Sequence, residues 1–384
     1  MFPLKLLAKN AFRHKLRTAL TILSITIALV AFGLLQTLIK SWYAGAESSS
    51  VYRLVTRNAI SLAFPLPLSY KDKITQIEGV RGVTYGNWFG GIYIEEKNFF
   101  ANFAMEPKSY LTLYDYAIPA GQRENFLHDR RAALAGRKLI DRFGWKIGDI
   151  ITLKGTIFPG NWEFILAGIY RAGSGDVDES QFFFHWDYFN ETIRKTMPHR
   201  ADQVDFYIIG LKNPRLATEV ASRVDSTFKN SLAETLTETE KSFQLSFVSM
   251  SEAIITAIQF VSIVVIVIIM AVAANTMIMS VRERTSEYAV FKTLGFGVWP
   301  ITILILGESL VITMTGCAVG IALTFPVISA ISKPLSNYLP IFKLDKRIFY
   351  FYGAASLLVG IVAAIIPAWR AVKVPIAEGL GRVP

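Results

Sequence analysis

The chain has 384 residues, of which 52% are hydrophobic, and it carries a formal net charge of +10. This apolar content and the positive mean hydropathy are typical of a chain that is part membrane and part soluble domain. The single cysteine, Cys317, excludes a disulfide framework.

A basic segment, residues 1–17, opens the chain. It contains Lys5, Lys9, Arg13, Lys15 and Arg17 and no acidic residue. The apolar and basic side chains repeat at helical spacings, which favours an amphipathic helix lying in the membrane plane on the cytoplasmic side; the alternative is a disordered basic tail.

Four largely uncharged windows follow, and each is long enough to cross a bilayer as a helix. We predict transmembrane helices at residues 18–40, 251–281, 298–332 and 348–369. The first window could instead be a signal peptide cleaved after Ala46, but its apolar core is longer than such peptides have. Glu308 is an acid inside the third window. Placing a carboxylate there costs free energy unless the group is paired, is protonated or faces a water-filled cavity.

The positive charge concentrates beside these windows, whereas basic and acidic residues nearly balance in residues 41–250. A basic N-terminus favours retention in the cytoplasm. An even number of spans returns the tail, residues 370–384, to the same side, and residues 41–250 then face outward. The basic outer loop, residues 333–347, runs against this assignment. Because the charge follows membrane edges, we expect anionic lipids and no nucleic acid as its counterpart.

The block 41–250 shows strand alternation separated by helical patterns, which predicts an α+β domain. Its glycine-rich middle suggests one core or two lobes, with a β-rich lobe at about residues 111–200. The aromatic clusters at residues 87–93 and 182–186 could line a hydrophobic substrate path, although such clusters are more often core.

Catalytic signals are weak, since the histidines are scattered and no metal-ligand spacing or nucleophile elbow occurs. No phosphate-binding loop motif is present, so any ATP would be bound by another chain. Small residues that allow close helix packing occur in the third and fourth windows, either within one subunit or at a dimer face. They are Gly316, Gly320, Gly360 and Ala364.

Residues 282–297, between the second and third windows, form a short two-faced helix pattern. Tyr288, Phe291 and Leu294 recur at spacings of three, and Gly295 can adopt the positive φ that ends a helix. The pattern indicates either a cytoplasmic coupling helix or a charged loop held at the lipid headgroups.

Four segments resemble, in order, the MacB-like permease subunits of ABC transporters, a group that includes FtsX and the LolC and LolE proteins. The segments are the basic opening at residues 10–25, the helix and Gly-Asp-Ile-Ile-Thr-Leu strand at residues 134–153, the segment 280–297, and the closing Pro-Ala element at residues 366–378.

The resemblance implies a membrane protein with four transmembrane α-helices and a large extracytoplasmic (periplasmic) α+β domain inserted between helices 1 and 2. It also implies a multi-pass protein of the bacterial inner membrane. By the same resemblance, the segment 282–297 couples the permease to an ATPase. The residues that would contact the ATPase or position the helix are Arg282, Glu283, Arg284, Glu287, Tyr288, Phe291, Lys292 and Leu294.

The expected partners are an ABC ATPase subunit dimer, a second permease copy or a paralogous permease, and a periplasmic adaptor or other extracytoplasmic partner. No cofactor is expected in this chain, because ATP and Mg²⁺ would bind the ATPase subunits. The function implied is not enzymatic: it is export or extraction of an amphipathic substrate such as a lipid-linked molecule, peptide or drug.

The alternative is an FtsX-like mechanotransmitter that does not transport and instead regulates an extracytoplasmic enzyme or sensor. Under either function, reversing the charges at Arg284 and Glu287 is expected to lower permease-stimulated ATP turnover without affecting folding.

Overall fold

The computed structural model describes residues 9–173, 177–335 and 347–373. The chain divides into two compact units. The membrane unit contains Met1–Ser41, Ser251–Leu335 and the last described helix, and the domain unit contains Trp42–Met250.

The helices are named in chain order. They are α1 (Lys15–Glu47), α2 (Tyr70–Thr75), α3 (Pro107–Leu113), α4 (Ala120–His128), α5 (Arg137–Phe143), α6 (Trp186–Thr196), α7 (Ala217–Thr227), α8 (Glu240–Met250), α9 (Glu252–Glu283), α10 (Thr285–Thr293), α11 (Val298–Leu335) and α12 (Ile348–Lys373).

Within the described residues, four helices are long and apolar enough to cross a membrane, namely α1, α9, α11 and α12. We call them spans 1 to 4. A mixed α/β domain lies between spans 1 and 2, so the predicted fold class is confirmed.

The helices extend past the uncharged windows. Span 1 runs from Lys15 to Glu47, whereas its window covered residues 18–40, because backbone hydrogen bonds continue beyond the apolar core. Residues 9–11 are helical and the chain then turns before Lys15, so the described part of the predicted in-plane helix is interrupted. Residues 1–8 of that helix, and most of the outer loop and tail, lie outside the described residues.

Small residues let the spans pack closely in the membrane unit. A Cβ added to Gly316 would lie 2.7 Å from Ile25 Cγ2, and one added to Gly320 would lie 3.3 Å from Leu29 Cβ. Span 1 therefore packs against span 3 through these glycines. Gly33 of span 1 lies against the hydroxyl end of Tyr352, and that tyrosine is fully buried.

The domain unit is built on a mixed sheet. The strands of the domain unit are β1 (Arg53–Asn58), β2 (Leu66–Pro67), β3 (Val80–Trp88), β4 (Asn102–Met105), β5 (Tyr116–Ala117), β6 (Ala132–Gly136), β7 (Ile150–Gly155), β8 (Gly160–Ala172), β9 (Phe182–His185), β10 (Gln203–Val204), β11 (Phe206–Leu211) and β12 (Thr235–Thr239). In the described chain β2 and β10 pair with each other in a separate two-stranded sheet, and the other strands form the mixed sheet. Among the described strands the order is β12-β1-β11-β3-β4-β9-β6-β8-β5, and β7 also pairs with β8. The pairs β4/β9 and β6/β8 are parallel and the other pairs are antiparallel.

Both faces of this sheet are covered, as β9 shows. Phe182 and Phe184 point into one hydrophobic core, and Phe183 points into the other. Alternate residues of a strand face opposite sides, so a continuous aromatic run is what a strand buried on both faces requires.

The strands of the expected β-rich lobe belong to this same sheet, since β6 pairs with β9 and β9 pairs with β4. The glycine-rich middle therefore forms turns of one sheet within a single compact unit. The aromatic clusters are core: Phe89, Phe182 and Phe184 are inaccessible, and Trp186 is 3% exposed.

Candidate functional site

The candidate site is the turn and short helix between spans 2 and 3. Arg282 and Glu283 are the last residues of span 2, and α10 begins at Thr285 after a break at Arg284. The predicted coupling helix of residues 282–297 is therefore a span end, a turn and a nine-residue helix.

The end of α10 is fixed by the backbone conformation of Gly295 and by backbone hydrogen bonds. Gly295 has φ +89°, and its N–H donates to the carbonyl of Lys292. The N–H of Phe296 donates to the carbonyl of Phe291, and the two phenylalanine rings lie 5.6 Å apart. This is a Schellman ending with its hydrophobic contact, and it orients the chain that enters span 3.

A buried ion pair anchors the turn. Arg284 is 5% exposed, and its Nη1 lies 2.8 Å from Glu308 Oε2 in span 3. Ser280 Oγ donates to the other oxygen of Glu308 at 2.9 Å. The costly acid inside span 3 is therefore paired and hydrogen-bonded, which is the condition for holding a carboxylate there.

The same arginine reaches a second carboxylate, since Arg284 Nε donates to Glu287 Oε2 at 2.8 Å. Glu287 also pairs with Arg13 of the basic opening segment. Burial acts to raise the pKa of Glu287, but the hydrogen bonds from Arg284 and Arg13 outweigh it and hold the pKa below its usual range. Glu287 therefore stays ionised at neutral pH.

A second contact joins the opening segment to this site. Arg17 binds Glu283 with both terminal nitrogens, and its Nη1 lies 2.8 Å from Glu283 Oε2. These bonds hold the end of span 2 against the start of span 1.

The aromatic side of α10 faces inward. Tyr288 is 2% exposed and packs with Ala364 and Ala368 of span 4, and Phe291 packs against the same cluster. Lys292 Nζ donates to the carbonyl of Val372 at 2.7 Å, near the end of span 4. Cationic side chains stabilise helix C-termini in this way.

The remaining side of the segment is exposed. Val290 is 44% exposed, Leu294 is 68% exposed and Phe296 is 40% exposed. Arg282 and Glu283 are also exposed. Sequence reasoning predicted that Leu294 seats the helix and did not single out the exposed side chains of Val290 and Phe296; the spacing of four between Val290 and Leu294 was the available signal.

The structure divides the sequence-predicted residues into two groups. Arg284, Glu287, Tyr288, Phe291 and Lys292 bond or pack within the membrane unit, and Glu283, although exposed, joins this group through its bonds to Arg17. Arg282 and Leu294 form the second group and present surface. Reversing the charge of Arg284 would place two carboxylates together in a buried site, so the expectation that folding survives this change is not physically reasonable.

The predicted small packing residues all lie against neighbouring spans in the described chain. Gly316 and Gly320 contact span 1, and a Cβ on Gly360 would lie 2.7 Å from Thr313 Oγ1. Ala364 is 1% exposed beside α10.

No group of metal-ligating side chains occurs among the described residues. The site thus offers shape, charge and rigid attachment. Four spans, an inserted α+β domain and an anchored helix between spans 2 and 3 define a multi-span membrane protein.

Comparison with known proteins shows what the chain is similar to. Residues 259–376 match the FtsX-like permease C-terminal family. The chain is 24% identical over 401 residues to an uncharacterized ABC transporter permease of Methanocaldococcus jannaschii, covering 97% of this chain and 96% of that protein. Residues 259–376 therefore form a domain similar to the C-terminal domain of FtsX-like permeases, and the chain is similar to proteins named ABC transporter permease, which confirms the resemblance predicted from its motifs.

Two further similarities are more partial. The chain is 22% identical over 274 residues to an uncharacterized ABC transporter permease protein of Mycobacterium tuberculosis, covering 67% of this chain and 29% of that protein. The crystal structure of the periplasmic region of MacB from Actinobacillus actinomycetemcomitans aligns with a TM-score of 0.37 and 8% identity, over 52% of this chain and 94% of that one.

Proposed function

We propose that this permease couples ATP hydrolysis by a separate ATPase chain to movement of its α+β domain, for export or extraction of an amphipathic substrate. The observation that carries the proposal is the construction of residues 282–297. One side is bonded to spans 1, 3 and 4, and the other side exposes an apolar row. A surface attached in this way passes an applied force into the spans.

An ABC transporter permease works with an ATPase partner. We propose that Val290, Leu294 and Phe296 contact that partner, with Arg282 and Glu283 at the edge of the contact. Apolar side chains at the centre of an interface with charges at its rim are the usual arrangement. Arg284, Glu287 and Lys292 then act as positioning residues that hold the contact surface against the spans.

ATP and Mg²⁺ would bind the ATPase subunits. The functional unit we propose is two permease chains, identical or paralogous, with two ATPase subunits and with a periplasmic adaptor or other extracytoplasmic partner. The exposed sides of the spans support this assembly, since only 17% of the most apolar window of span 2 is buried in the described chain.

The proposed location is the bacterial inner membrane, with both termini and residues 282–297 in the cytoplasm and the domain in the periplasm. Two observations support it. The basic opening segment favours the cytoplasmic side, and Arg13 and Arg17 of that segment bind Glu287 and Glu283 directly.

The test is a matched pair of substitutions in the full chain assembled with its ATPase. Leu294→Asp places a charge in the exposed row, and Leu232→Asp makes the same change at a fully exposed position of the domain unit. A charge at the centre of an apolar contact costs about 2 kcal/mol or more, so permease-stimulated ATP turnover should fall about 30-fold with Leu294→Asp.

Leu232→Asp should leave that turnover unchanged. Equal turnover in the two variants would contradict the assignment of the contact surface. Tyr288→Phe provides a second control, because the Tyr288 hydroxyl is buried without a hydrogen-bond partner among the described residues and its removal should leave coupling intact.

A second candidate function is a transmitter that regulates an extracytoplasmic enzyme or sensor without transport. Burial of the aromatic clusters around Phe89 and Phe183 favours it, because these side chains fill cores and do not line an apolar path. Substrate-stimulated ATPase activity in nanodiscs would support transport. Tight capture of a hydrolase or sensor by the full-length permease, without such stimulation, would support the transmitter.

A further inference from the structure

We infer that a cleft at the basic end of span 1 binds the headgroup and upper acyl chain of an anionic phospholipid. The cleft lies between the starting turns of span 1 and the last third of span 2, and its volume is about 770 Å³. This size is within the range of ordinary ligand sites. It opens at the end of the membrane unit that also carries residues 282–297.

The rim of the cleft is cationic. It is formed by Arg13, His14, Lys15 and Arg17. Arg13 and Arg17 already hold Glu287 and Glu283, but Lys15 is exposed and has no carboxylate partner within the described part of the chain. The rim therefore retains uncompensated positive charge, which is what a phosphate ester requires.

The wall below the rim is apolar. Leu16 is 76% exposed, Leu20 is 55% exposed and Val272 is 38% exposed, and all three line the cleft. Exposed apolar side chains directly under a ring of cations match the two chemical halves of a phospholipid.

The hydroxyl groups of the wall are already used. Thr21 Oγ1 donates to the Arg17 carbonyl at 2.9 Å, and Ser24 Oγ donates to the Leu20 carbonyl at 2.9 Å. Thr276 Oγ1 donates to the Val272 carbonyl at 3.0 Å. The wall therefore has few free donors for a soluble anion, and it favours an acyl chain.

The cleft shares its arginines with the site described above. A headgroup phosphate at the rim would compete with Glu283 and Glu287 for Arg17 and Arg13. Exposed ion pairs of this kind are weak and exchange readily. Anionic lipid would thus alter how firmly residues 282–297 are held to the start of span 1, and it would tune coupling without contacting the ATPase.

The test measures lipid retention by the full-length protein with native mass spectrometry. The probes are phosphatidylglycerol and phosphatidylcholine with identical acyl chains. We expect wild-type protein to retain phosphatidylglycerol preferentially, and Lys15→Ala to lower its affinity about fivefold. Lys9→Ala is the matched control, since Lys9 is an exposed lysine of the same segment that does not line the cleft; it should retain wild-type affinity.

A second variant blocks the cleft without changing charge. Ser24→Trp should reduce phosphatidylglycerol retention at least as much as Lys15→Ala, whereas Leu23→Trp, at an exposed neighbour outside the cleft, should not. The inference is overturned if Lys9→Ala and Lys15→Ala lose affinity equally, or if phosphatidylcholine binds as well. It is also overturned if inorganic phosphate at millimolar concentration displaces the lipid, or if a cysteine at position 24 crosslinks two chains in lipid-bound protein.

Discussion

Each unit of the molecule contains an arginine–glutamate pair within its described residues, and the pair of the membrane unit is the more deeply buried. Arg284 and Glu308 of the membrane unit lie 2.8 Å apart, with both side chains 6% exposed. Arg53 and Glu240 of the domain unit also lie 2.8 Å apart, with 17% and 10% exposed. The similar geometry serves different parts of the chain.

In the domain unit the pair joins the two ends of the inserted segment. Arg53 begins β1 and Glu240 begins α8, and Glu240 also accepts hydrogen bonds from the Ser50 N–H and the Tyr114 hydroxyl. The Arg53 guanidinium lies 4.1 Å from the centre of the Tyr114 ring. This carboxylate therefore has three kinds of donor.

In the membrane unit the pair joins a turn to the adjacent span, and Glu308 has Arg284 and Ser280 as its donors. Because Glu308 has fewer hydrogen-bond donors than Glu240 and lies in a more apolar environment, removing its carboxylate should lower the free energy of unfolding by more. The same interaction therefore has two roles. In the domain unit it joins the two ends of the inserted segment, and in the membrane unit it fixes the orientation of the proposed contact surface.

Glu308→Ala is expected to have the largest effect. It removes the buried partner of Arg284 Nη1 and leaves the guanidinium with Glu287, whose side chain is 35% exposed, and breaking a buried pair in this way costs about 3–5 kcal/mol. Thermal unfolding of the full-length protein in detergent measures the loss. The double variant Arg284→Met with Glu308→Leu should recover most of it, and a double variant no more stable than Glu308→Ala would contradict the pair's role.

Glu240→Ala should have a somewhat smaller effect, about 3 kcal/mol, since Arg53 retains partial exposure and its contact with Tyr114. Hydrogen exchange of β1 and β12 in the full-length protein reports the change. Glu219→Ala removes a carboxylate that pairs with Arg223 on the surface and should have almost no effect; equal effects would remove the distinction between buried and exposed pairs.

Asp205 extends this comparison to a largely buried carboxylate that forms no ion pair with an arginine in the described part of the chain. Burial raises its pKa to about 6, although the Trp88 N–H at 2.8 Å, the Asn87 side chain and the nearby charge of Arg200 act to lower it. The folded state therefore binds this proton more tightly than the unfolded chain does.

The free energy of unfolding of the domain should consequently fall by roughly 2 kcal/mol as the pH rises from about 4 to above 6. Asp205→Asn should remove this dependence while its amide oxygen still accepts from the Trp88 N–H. Hydrogen exchange of β3 and β11 across this pH range checks the prediction, and an unchanged slope in the variant would assign the titration to another group.

The smallest effect is steric and concerns the membrane unit. Gly33→Ala places a methyl group against Tyr352 and should cost at least about 1 kcal/mol. Gly353→Ala is the matched control in span 4, where nothing lies within 4 Å of the added Cβ, and it should stabilise the helix by about 0.5–1 kcal/mol. Thermal unfolding of both variants in detergent measures the two changes in stability. It shows whether the steric contact at Gly33 outweighs the gain in helix propensity that alanine brings at both positions.

Much of the fold could be predicted because its signals are local. Uncharged windows located the four spans, and strand alternation between helical patterns predicted the α+β class of residues 41–250. Gly295 was predicted to end the helix between spans 2 and 3. Its φ of +89° and the backbone hydrogen bonds around it confirm that prediction. A backbone ending of this kind depends on a few neighbouring residues.

The position of the candidate site could be predicted from the sequence, but which of its residues are buried and which are exposed could not. Arg282 and Arg284 are chemically alike in the sequence, yet one is exposed and the other is buried against Glu308. Likewise Phe182 to Phe184 are alike in type, and the pairing of β9 sends them to two different cores.

The sequence by itself determined the membrane spans, the class of the inserted domain and the position of the short helix between spans 2 and 3, because each depends on side chains within one or two dozen residues. Tertiary structure alone decided which charges are buried, which apolar side chains face outward and that Gly33 meets Tyr352. Those outcomes depend on contacts between segments far apart in the chain, and their energies arise from packing and desolvation that no local pattern records.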